Sequence, residues 1–444
     1  MLEAYPLVAH AAGRPIFMRE GGRIVTVEAF LDDVAAICTL LPSASYVVNL
    51  CADRYSFTVG FAAALMRGQV TILPPSEAPE QLAGLAGDYQ DLYFLHDPDT
   101  PVPSGQKAIA FPTDRPPAPL RPVAGRRPSF PADQLAAILF TSGSTGKPLA
   151  QPRRWGALVR SARAAGHAMG FDRAPGMTLI GTVPHQHSYG LESIVMLALQ
   201  HGHIIHDSRL LLPADIMAAL ASIGTPKILV TTPIHLRSMV ADGDVLPRLD
   251  GIISATAPLD IELCRQAEVC FGTSLFEIYG CSEIGQIAMR RTSETAVWSC
   301  LDGIRLEAVG DDVWASGAAA ANRAPLNDII ELRSPTEFLL RGRKSDMVNI
   351  AGKRSSLRFL NHQINSIEGV EDAVFVLHPA ANRDRLAAYV VAPRLTAEQV
   401  LEALRRLIDP AFLPRPLHLV EALPRNALGK VTRDALDILV ANAP

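Results

Sequence analysis

Charge is scarce in this chain of 444 residues. Asp, Glu, Lys and Arg make up 19% of it, and 41 Lys+Arg against 45 Asp+Glu leave a formal net charge of -4. A protein that grips nucleic acid electrostatically carries a strongly basic domain, so the balance argues against a nucleic-acid partner. Long apolar runs are missing as well. No segment approaches the roughly 18 residues that span a bilayer, so no membrane span is expected. The opening string MLEAYPLVAHAAGR has no basic stretch followed by an apolar one, so no secretory leader is expected. The six cysteines (Cys38, Cys51, Cys264, Cys270, Cys281, Cys300) are scattered, without a C-x-x-C pair. That argues against zinc ribbons and disulfide frameworks and for a reducing cytoplasm. No internal repeat is visible. Against these absences stands an apolar content of 48%, enough to bury a large core and to exclude global disorder. The length is that of about three average domains.

The pattern along the chain is α/β. VVNL (47–50) and VTIL (70–73) read as short buried strands rich in β-branched residues, with the helix FTVGFAAALMRG between them ending at Gly68. Strand, helix, strand predicts a parallel layer. Residues 98–131 change character: ten of these 34 are proline, which predicts an extended connector without secondary structure. From 135 the alternation resumes. LAAILF, MTLIGTVP, HIIH, KILVTTP, DGIISAT and TSLFEIYG are strand candidates, and LESIVMLALQHG is a helix among them. Beyond the basic segment RGRKSD near 341 lies a compact α+β pattern of about 100 residues. VFVLHP and LAAYVVAP read there as strands. TAEQVLEALRRLID reads as a helix opened by a Thr396–Gln399 capping box, with Val400, Leu401, Leu404 and Ile408 on one face.

Ile138-Leu139-Phe140 leads into Thr141, Ser142, Gly143, Ser144, Thr145, Gly146, Lys147 and Pro148. A strand followed by hydroxyls, glycines and a lysine suits polyphosphate: glycines let backbone N–H groups approach, hydroxyls donate, and the ammonium supplies charge. It is not a Walker A loop. That loop has four residues between its glycines and Ser or Thr after the lysine; here two residues intervene and proline follows.

The whole string TSGSTGKP is similar to the phosphate-loop signature of the adenylate-forming superfamily: acyl-CoA synthetases, aryl-acid ligases, luciferases and peptide-synthetase adenylation domains. Further resemblances follow in the family's order. ISATAPL (253–259) resembles the adenine-side loop, and EIYGCSEIG (277–285) the Y-G-x-T/S-E motif. Asp328, 15 residues before Arg343, resembles the family's T-G-D and hinge strand. LPRNALGK (423–430) resembles the terminal motif with the catalytic lysine.

The resemblance implies a large domain over 1–342 with mixed and parallel sheets, a hinge at 343–346, and a small mobile α+β lid over 347–444. It implies that a carboxylate is joined to the α-phosphate of ATP with release of pyrophosphate. Thr141, Ser142, Gly143, Ser144, Thr145, Gly146 and Lys147 would then hold the β- and γ-phosphates, and Glu283 would bind Mg2+. Ser282 would donate to the α-phosphate or the adenylate. Tyr279 and Gly280 on one side, and Ala255, Thr256 and Ala257 on the other, would enclose adenine. Asp328 and Arg343 would serve the ribose, and Lys430 would bridge carboxylate and α-phosphate.

Two departures stand out. Leu149 occupies the place of a second phosphate-loop lysine, with Arg153 and Arg154 as candidate replacements; Asn349 occupies that of a hinge-segment lysine, with Lys353 and Arg354 close behind. The string VPHQHSYGLE (183–192) matches the family's acid-pocket segment, which makes His187, Tyr189 and Gly190 pocket residues and points to a flat, polar-edged acid. That string also resembles ligases of bacterial aryl-polyene and xanthomonadin-type pigment pathways, which load hydroxybenzoate-like acids onto acyl carrier protein. The thiol acceptor is thus acyl carrier protein or coenzyme A. Residues 346–444 hold 12 Lys+Arg against 11 Asp+Glu, whereas 1–345 hold 29 against 34, a weak lean towards the acidic carrier protein. Two other readings stay open: an enzyme that stops at the adenylate, and a nucleotide-binding regulatory protein with a decayed site.

Overall fold

The computed structural model describes residues 3–74, 78–112, 127–141, 149–208, 210, 212–224, 226–241, 246–310, 312–343, 347–350, 353–380, 383–425 and 431. The chain divides into two compact units. The first comprises Met1–Val309, Trp314–Ala324 and Pro335–Glu337; the second comprises Gly310–Val313, Pro325–Ser334 and Phe338–Pro444.

Two large sheets dominate the described residues of the first unit. In one, the strands Tyr46–Asn49, Val70–Ile72, Leu92–His96, Ala108–Ala110 and Leu135–Thr141 run parallel, and Leu149–Arg154 closes an edge antiparallel to Leu135–Thr141. The helix Arg54–Met66 starts at Asp53, whose carboxylate accepts from the Ser56 N–H, and stops before Gly68, whose φ of 70° is left-handed. Its sequence is apolar nearly all round, and it is buried accordingly.

The second sheet has a parallel centre. Pro15–Met18, Ile204–His206, Thr178–Gly181, Lys227–Thr231, Gly251–Ser254 and Leu275–Cys281 lie side by side in that order. Antiparallel strands Gly285–Arg290 and Val297–Cys300 extend it on one flank. Helices Pro213–Ser222, Pro233–Val240 and Ile261–Phe271 pack Leu220, Leu236, Leu263 and Phe271 onto Leu229, Ile252 and Leu275 of this sheet. Strands buried on both faces explain the unbroken runs of Ile, Leu and Val in their sequences.

The second unit is α+β. The hairpin Asp372–Ala380 and Arg383–Val391 carries Leu417–Leu419 parallel on its edge. Helices Leu357–Asn365 and Ala397–Arg405 bury Leu360, Ile364, Val400 and Leu404 against Phe375, Ala388 and Val390. The capping box is present: the Thr396 hydroxyl accepts from the Gln399 N–H at 3.3 Å and the Gln399 side chain accepts from the Thr396 N–H at 2.8 Å.

The α/β architecture with a smaller second unit matches the reading from sequence, and one part of that reading needs correction. Residues 98–131 are not all connector: Ala108–Ala110 adds to the first sheet and Ser129–Pro131 pairs with Ala4–Pro6. Both strands are three residues long and owe their existence to partners distant in sequence, which proline density does not report. Among the described residues no helix is long and apolar enough to cross a membrane.

Candidate active site

Four neighbouring parallel strands of the second sheet end on one edge, and three of them hand the chain to a segment singled out in the sequence. Thr178–Gly181 leads to 182–190, Lys227–Thr231 to 232–235, Gly251–Ser254 to 255–257, and Leu275–Cys281 ends in the YGCSE string. Open α/β sheets bind ligands at this carboxyl edge.

Hydrogen bonds tie these segments together. The Tyr189 hydroxyl lies 2.9 Å from the Thr231 carbonyl and 3.0 Å from that of Ile253, bridging two strand ends. Burial pushes its phenol above the usual range, so it stays a donor. The ring, not the hydroxyl, is therefore what Tyr189 can offer a ligand. Gly190 is fixed by packing: a Cβ there would stand 2.0 Å from the Pro184 carbonyl oxygen. His187 is half-buried at the start of the Ser188–Gly190 turn. His185 is a packing residue. Its Nε2 donates to the Cys51 carbonyl at 3.0 Å and its ring lies 4.4 Å from that of Phe57. Among the described residues no three His, Cys, Asp or Glu side chains gather to hold a metal ion.

On the adenine-side loop, Ala255 is buried and Thr256 holds φ at 78°. A β-branched residue in the left-handed region costs of order 1–3 kcal/mol, strain that clusters at ligand-binding sites. Ala257 is half-buried beside it. Next along the sheet, Glu277 is structural: its carboxylate takes Arg290 Nε at 2.7 Å, Thr292 Oγ1 at 2.6 Å and the Leu259 N–H at 3.1 Å, which pins the end of the ISATAPL loop. Tyr279 is buried, its ring 5.7 Å from that of Trp298. Gly280 is dictated by the facing strand, because a Cβ would lie 2.4 Å from the Gly285 carbonyl oxygen. Ser282 and Glu283 follow on the turn into Gly285–Arg290, both half-buried. The neighbouring Cys281 thiol is pushed up to about 12, by burial first and then by the Glu283 charge. One carboxylate on a turn is the donor set Mg2+ takes where phosphate oxygens and water complete its shell; Glu283 fits that part.

The turn is held by a residue that sequence reading placed elsewhere. Arg153 is 1% exposed and donates to the carbonyls of Ser282 and, at 3.4 Å, Glu283. Arg154 donates to the Asp133 carbonyl. Arg153, one of the two candidates to replace the phosphate-loop lysine absent at Leu149, is thus engaged on backbone, whereas Arg154, the other, is exposed with Nη1 alone on that carbonyl. Arg54 and Glu192 were also missed. Arg54 is 1% exposed and donates to the carbonyls of Gly181 (2.7 Å), Val183 (3.2 Å), His206 (3.1 Å) and Ser208. It stands at the start of a helix of the first sheet and clasps the carboxyl edge of the second. For Glu192 the signal was a charge inside an otherwise apolar stretch, GLESIVMLAL; Arg54 and Arg153 stand beside other charged or polar residues and carried no such signal.

Thr141 ends the strand Leu135–Thr141 and lies opposite Leu149, so the TSGSTGKP string joins two antiparallel strands rather than a strand and a helix. Ser142, Gly143, Ser144, Thr145, Gly146 and Lys147 lie outside the described residues, as do Lys430, hinge residues 344–346 and the side chains of Thr141, Arg343, Asn349, Lys353 and Arg354. In the second unit, Asp328 opens the strand Asp328–Ser334 and Arg343 closes Glu337–Arg343.

A family model described as AMP-binding enzyme matches residues 45–300, the stretch that holds the four carboxyl strand ends of the second sheet. The chain belongs to the AMP-binding enzymes. This adenylate-forming family also supplies its relatives. The AMP-binding enzyme described here is 30% identical over 304 residues to a 4-coumarate–CoA ligase of Rhodobacter capsulatus, covering 67% of this chain and 75% of that one. It is 27% identical over 336 residues to a probable 2-succinylbenzoate–CoA ligase of Mycobacterium tuberculosis, covering 68% and 84%. In fold, ATP-bound MatB from Rhodopseudomonas palustris matches with a TM-score of 0.81 at 18% identity, over 97% of each chain. O-succinylbenzoate coenzyme A synthetase from Bacillus subtilis, in complex with AMP, matches with a TM-score of 0.80 at 15% identity, over 97% and 98%.

Proposed function

We propose that this AMP-binding enzyme is an ATP-dependent acid–thiol ligase for an aromatic carboxylic acid. The carboxylate attacks the α-phosphate of ATP, forming the acyl-adenylate and releasing pyrophosphate. A phosphopantetheine thiol then takes the acyl group, releasing AMP and a proton. The observation that carries the reading is the convergence of Tyr189, Thr256 and the Ser282–Glu283 turn on one carboxyl edge, with Tyr189 hydrogen-bonded to two of the strand ends. A phenol whose hydroxyl is spent on backbone offers a flat apolar face, which suits an aryl acid better than a flexible alkyl chain.

Two anions meet in the first step, so positive charge must surround them. The reading assigns the polyphosphate to Thr141, Ser142, Gly143, Ser144, Thr145, Gly146 and Lys147. Ser282 donates to the α-phosphate. Mg2+ held by Glu283 supplies neutralising charge. Tyr279, Gly280 and Ala255–Ala257 take the base, Asp328 and Arg343 the ribose, and His187, Tyr189 and Gly190 the acid. Lys430, carried by the 347–444 lid beyond a hinge at 343–346, donates to the oxygens that gain charge in the transition state. These assignments rest on the family resemblance of the strings that hold them.

Coenzyme A is the acceptor in the names of both curated relatives. Acyl carrier protein is the second reading, favoured by the relatively more basic 346–444 segment.

ATP–pyrophosphate exchange across a panel of aryl and alkyl acids tests the first step. Hydroxybenzoate- or cinnamate-like acids should support exchange, and Lys430→Ala should cut it by on the order of 10²–10³, the usual loss for a transition-state donor. Exchange driven only by long alkyl acids, or absent with every acid, refutes the reading. Thioester formation with coenzyme A against holo carrier protein decides the acceptor.

A further inference from the structure

The turn Ser282-Glu283-Ile284-Gly285 is gripped from both sides by fully buried, oppositely charged side chains. On its leading side Arg153 donates to the carbonyls of Ser282 and Glu283. On its trailing side Glu192, 2% exposed, accepts from the Gln286 N–H at 3.3 Å. The fit there is close, since a Cβ on Gly285 would lie 3.2 Å from Glu192 Oε2. Glu192 also takes the Ser188 hydroxyl at 2.7 Å and the Ser161 hydroxyl at 3.2 Å. Gln286 reaches back to the Ser193 hydroxyl at 2.8 Å.

The two charges come from telling places. Arg153 sits on the strand Leu149–Arg154 that leaves the glycine-and-hydroxyl loop. Glu192 sits in Leu191–Met196, a π-helical segment continuing directly from the turn that holds His187, Tyr189 and Gly190. Such segments widen a helix by one residue per turn and recur at functional sites. Burial makes the Arg153 guanidinium easier to deprotonate, and Glu192, Cys281 and Glu283 oppose that shift. A lone buried charge is expensive, so each of the two residues is tolerated in the presence of the other.

We propose that Arg153 and Glu192 are positioning residues that hold the Ser282–Gly285 turn so that the Glu283 carboxylate meets the metal–nucleotide, linking the phosphate-loop strand and the acid segment to that one group. Neither touches substrate. The inference rests on the assignment of Glu283 to Mg2+ given above. Its consequence is specific: loss of either charge should weaken the Mg2+-dependent part of ATP binding more than the metal-free part, which this turn serves only through Ser282.

The test is calorimetric titration of the full chain with ATP, once in Mg2+ and once in EDTA, for wild type, Glu192→Gln, Arg153→Lys, Arg153→Met and Glu283→Gln. The affinity ratio between the two conditions should fall about tenfold in Glu192→Gln and Arg153→Met, with the EDTA value falling far less than the Mg2+ value, and Arg153→Lys should recover part of it. Glu192→Gln added to Glu283→Gln should lower the ratio no further than Glu283→Gln alone, as coupled residues do. Glu192→Gln is isosteric and keeps the test available if Arg153→Met fails to fold. Folded variants with the wild-type ratio overturn the proposal while leaving the ligase reading intact. Variants that lose affinity equally in both conditions also overturn it, by showing a merely structural role. A wild type that does not bind ATP at all overturns the ligase reading and this proposal with it.

Discussion

At the scale of single residues, the site is shaped as much by what cannot change as by chemistry. Gly190 and Gly280 are glycines because a carbonyl oxygen occupies the space a Cβ would need, at 2.0 and 2.4 Å. Gly190→Ala should destabilise the protein by about 1–3 kcal/mol, the usual cost of overpacking, read from chemical denaturation. Tyr189→Phe separates structure from recognition. It removes the donor between the Thr231 and Ile253 carbonyls and should cost about 1–2 kcal/mol, while the KM for the acid should hold within a few-fold because the ring remains. A large rise in KM with unchanged stability would mean that the hydroxyl faces the substrate instead. Residue types at this scale were legible in the sequence: the motif strings named the Thr256 loop and the Glu283 turn. Their reasons were not. Tyr279, Gly280 and Gly190 each look like binding residues in a string, and each is held by neighbours that only folding brings near.

At the scale of elements, strands and helices followed from periodicity and end signals. The helix Arg54–Met66 stops before Gly68, the helix Ala397–Arg405 starts from its capping box, and the buried strands coincide with the β-branched runs. Short strands such as Ala108–Ala110 escaped because three residues carry too little pattern. Arg54 shows how one element can hold another. Its four carbonyl partners lie at or just after the ends of two different strands of the second sheet, so Arg54→Met should strand buried acceptors and cost about 2–4 kcal/mol from at least two lost charge-assisted bonds. A change under 0.5 kcal/mol in urea-induced unfolding would show that these contacts carry no net stability. The strand Leu149–Arg154 is the other surprise. It pairs antiparallel with Leu135–Thr141 and at the same time carries Arg153 to the turn it holds.

For the whole molecule, acid is the expected weakness. Burial holds His10 at about 4, His203 at about 3 and His206 at about 4, against an ordinary 6.5. The unfolded chain therefore binds protons that the native state refuses. Stability is fully present above about pH 6.5 and drains away as pH falls towards 4, at up to roughly 3 kcal/mol per histidine. Denaturation profiles between pH 7 and 4 should show this loss, and His203→Phe, if it folds, should flatten the slope. A flat profile in the wild type would mean these rings are open to water.

The sequence by itself determined the α/β class, the order of the motifs and the chemistry of their side chains, since periodicity, turn residues and functional groups are local properties. Only the tertiary structure decided which of those side chains are free for a ligand. Arg153, one of two candidates for the absent lysine's place, donates to the backbone of Ser282 and Glu283, and Tyr189 spends its hydroxyl on Thr231 and Ile253. The physical reason is that a buried carbonyl must find a donor wherever the fold leaves it. Which donor it finds depends on strands that meet in space and lie far apart along the chain.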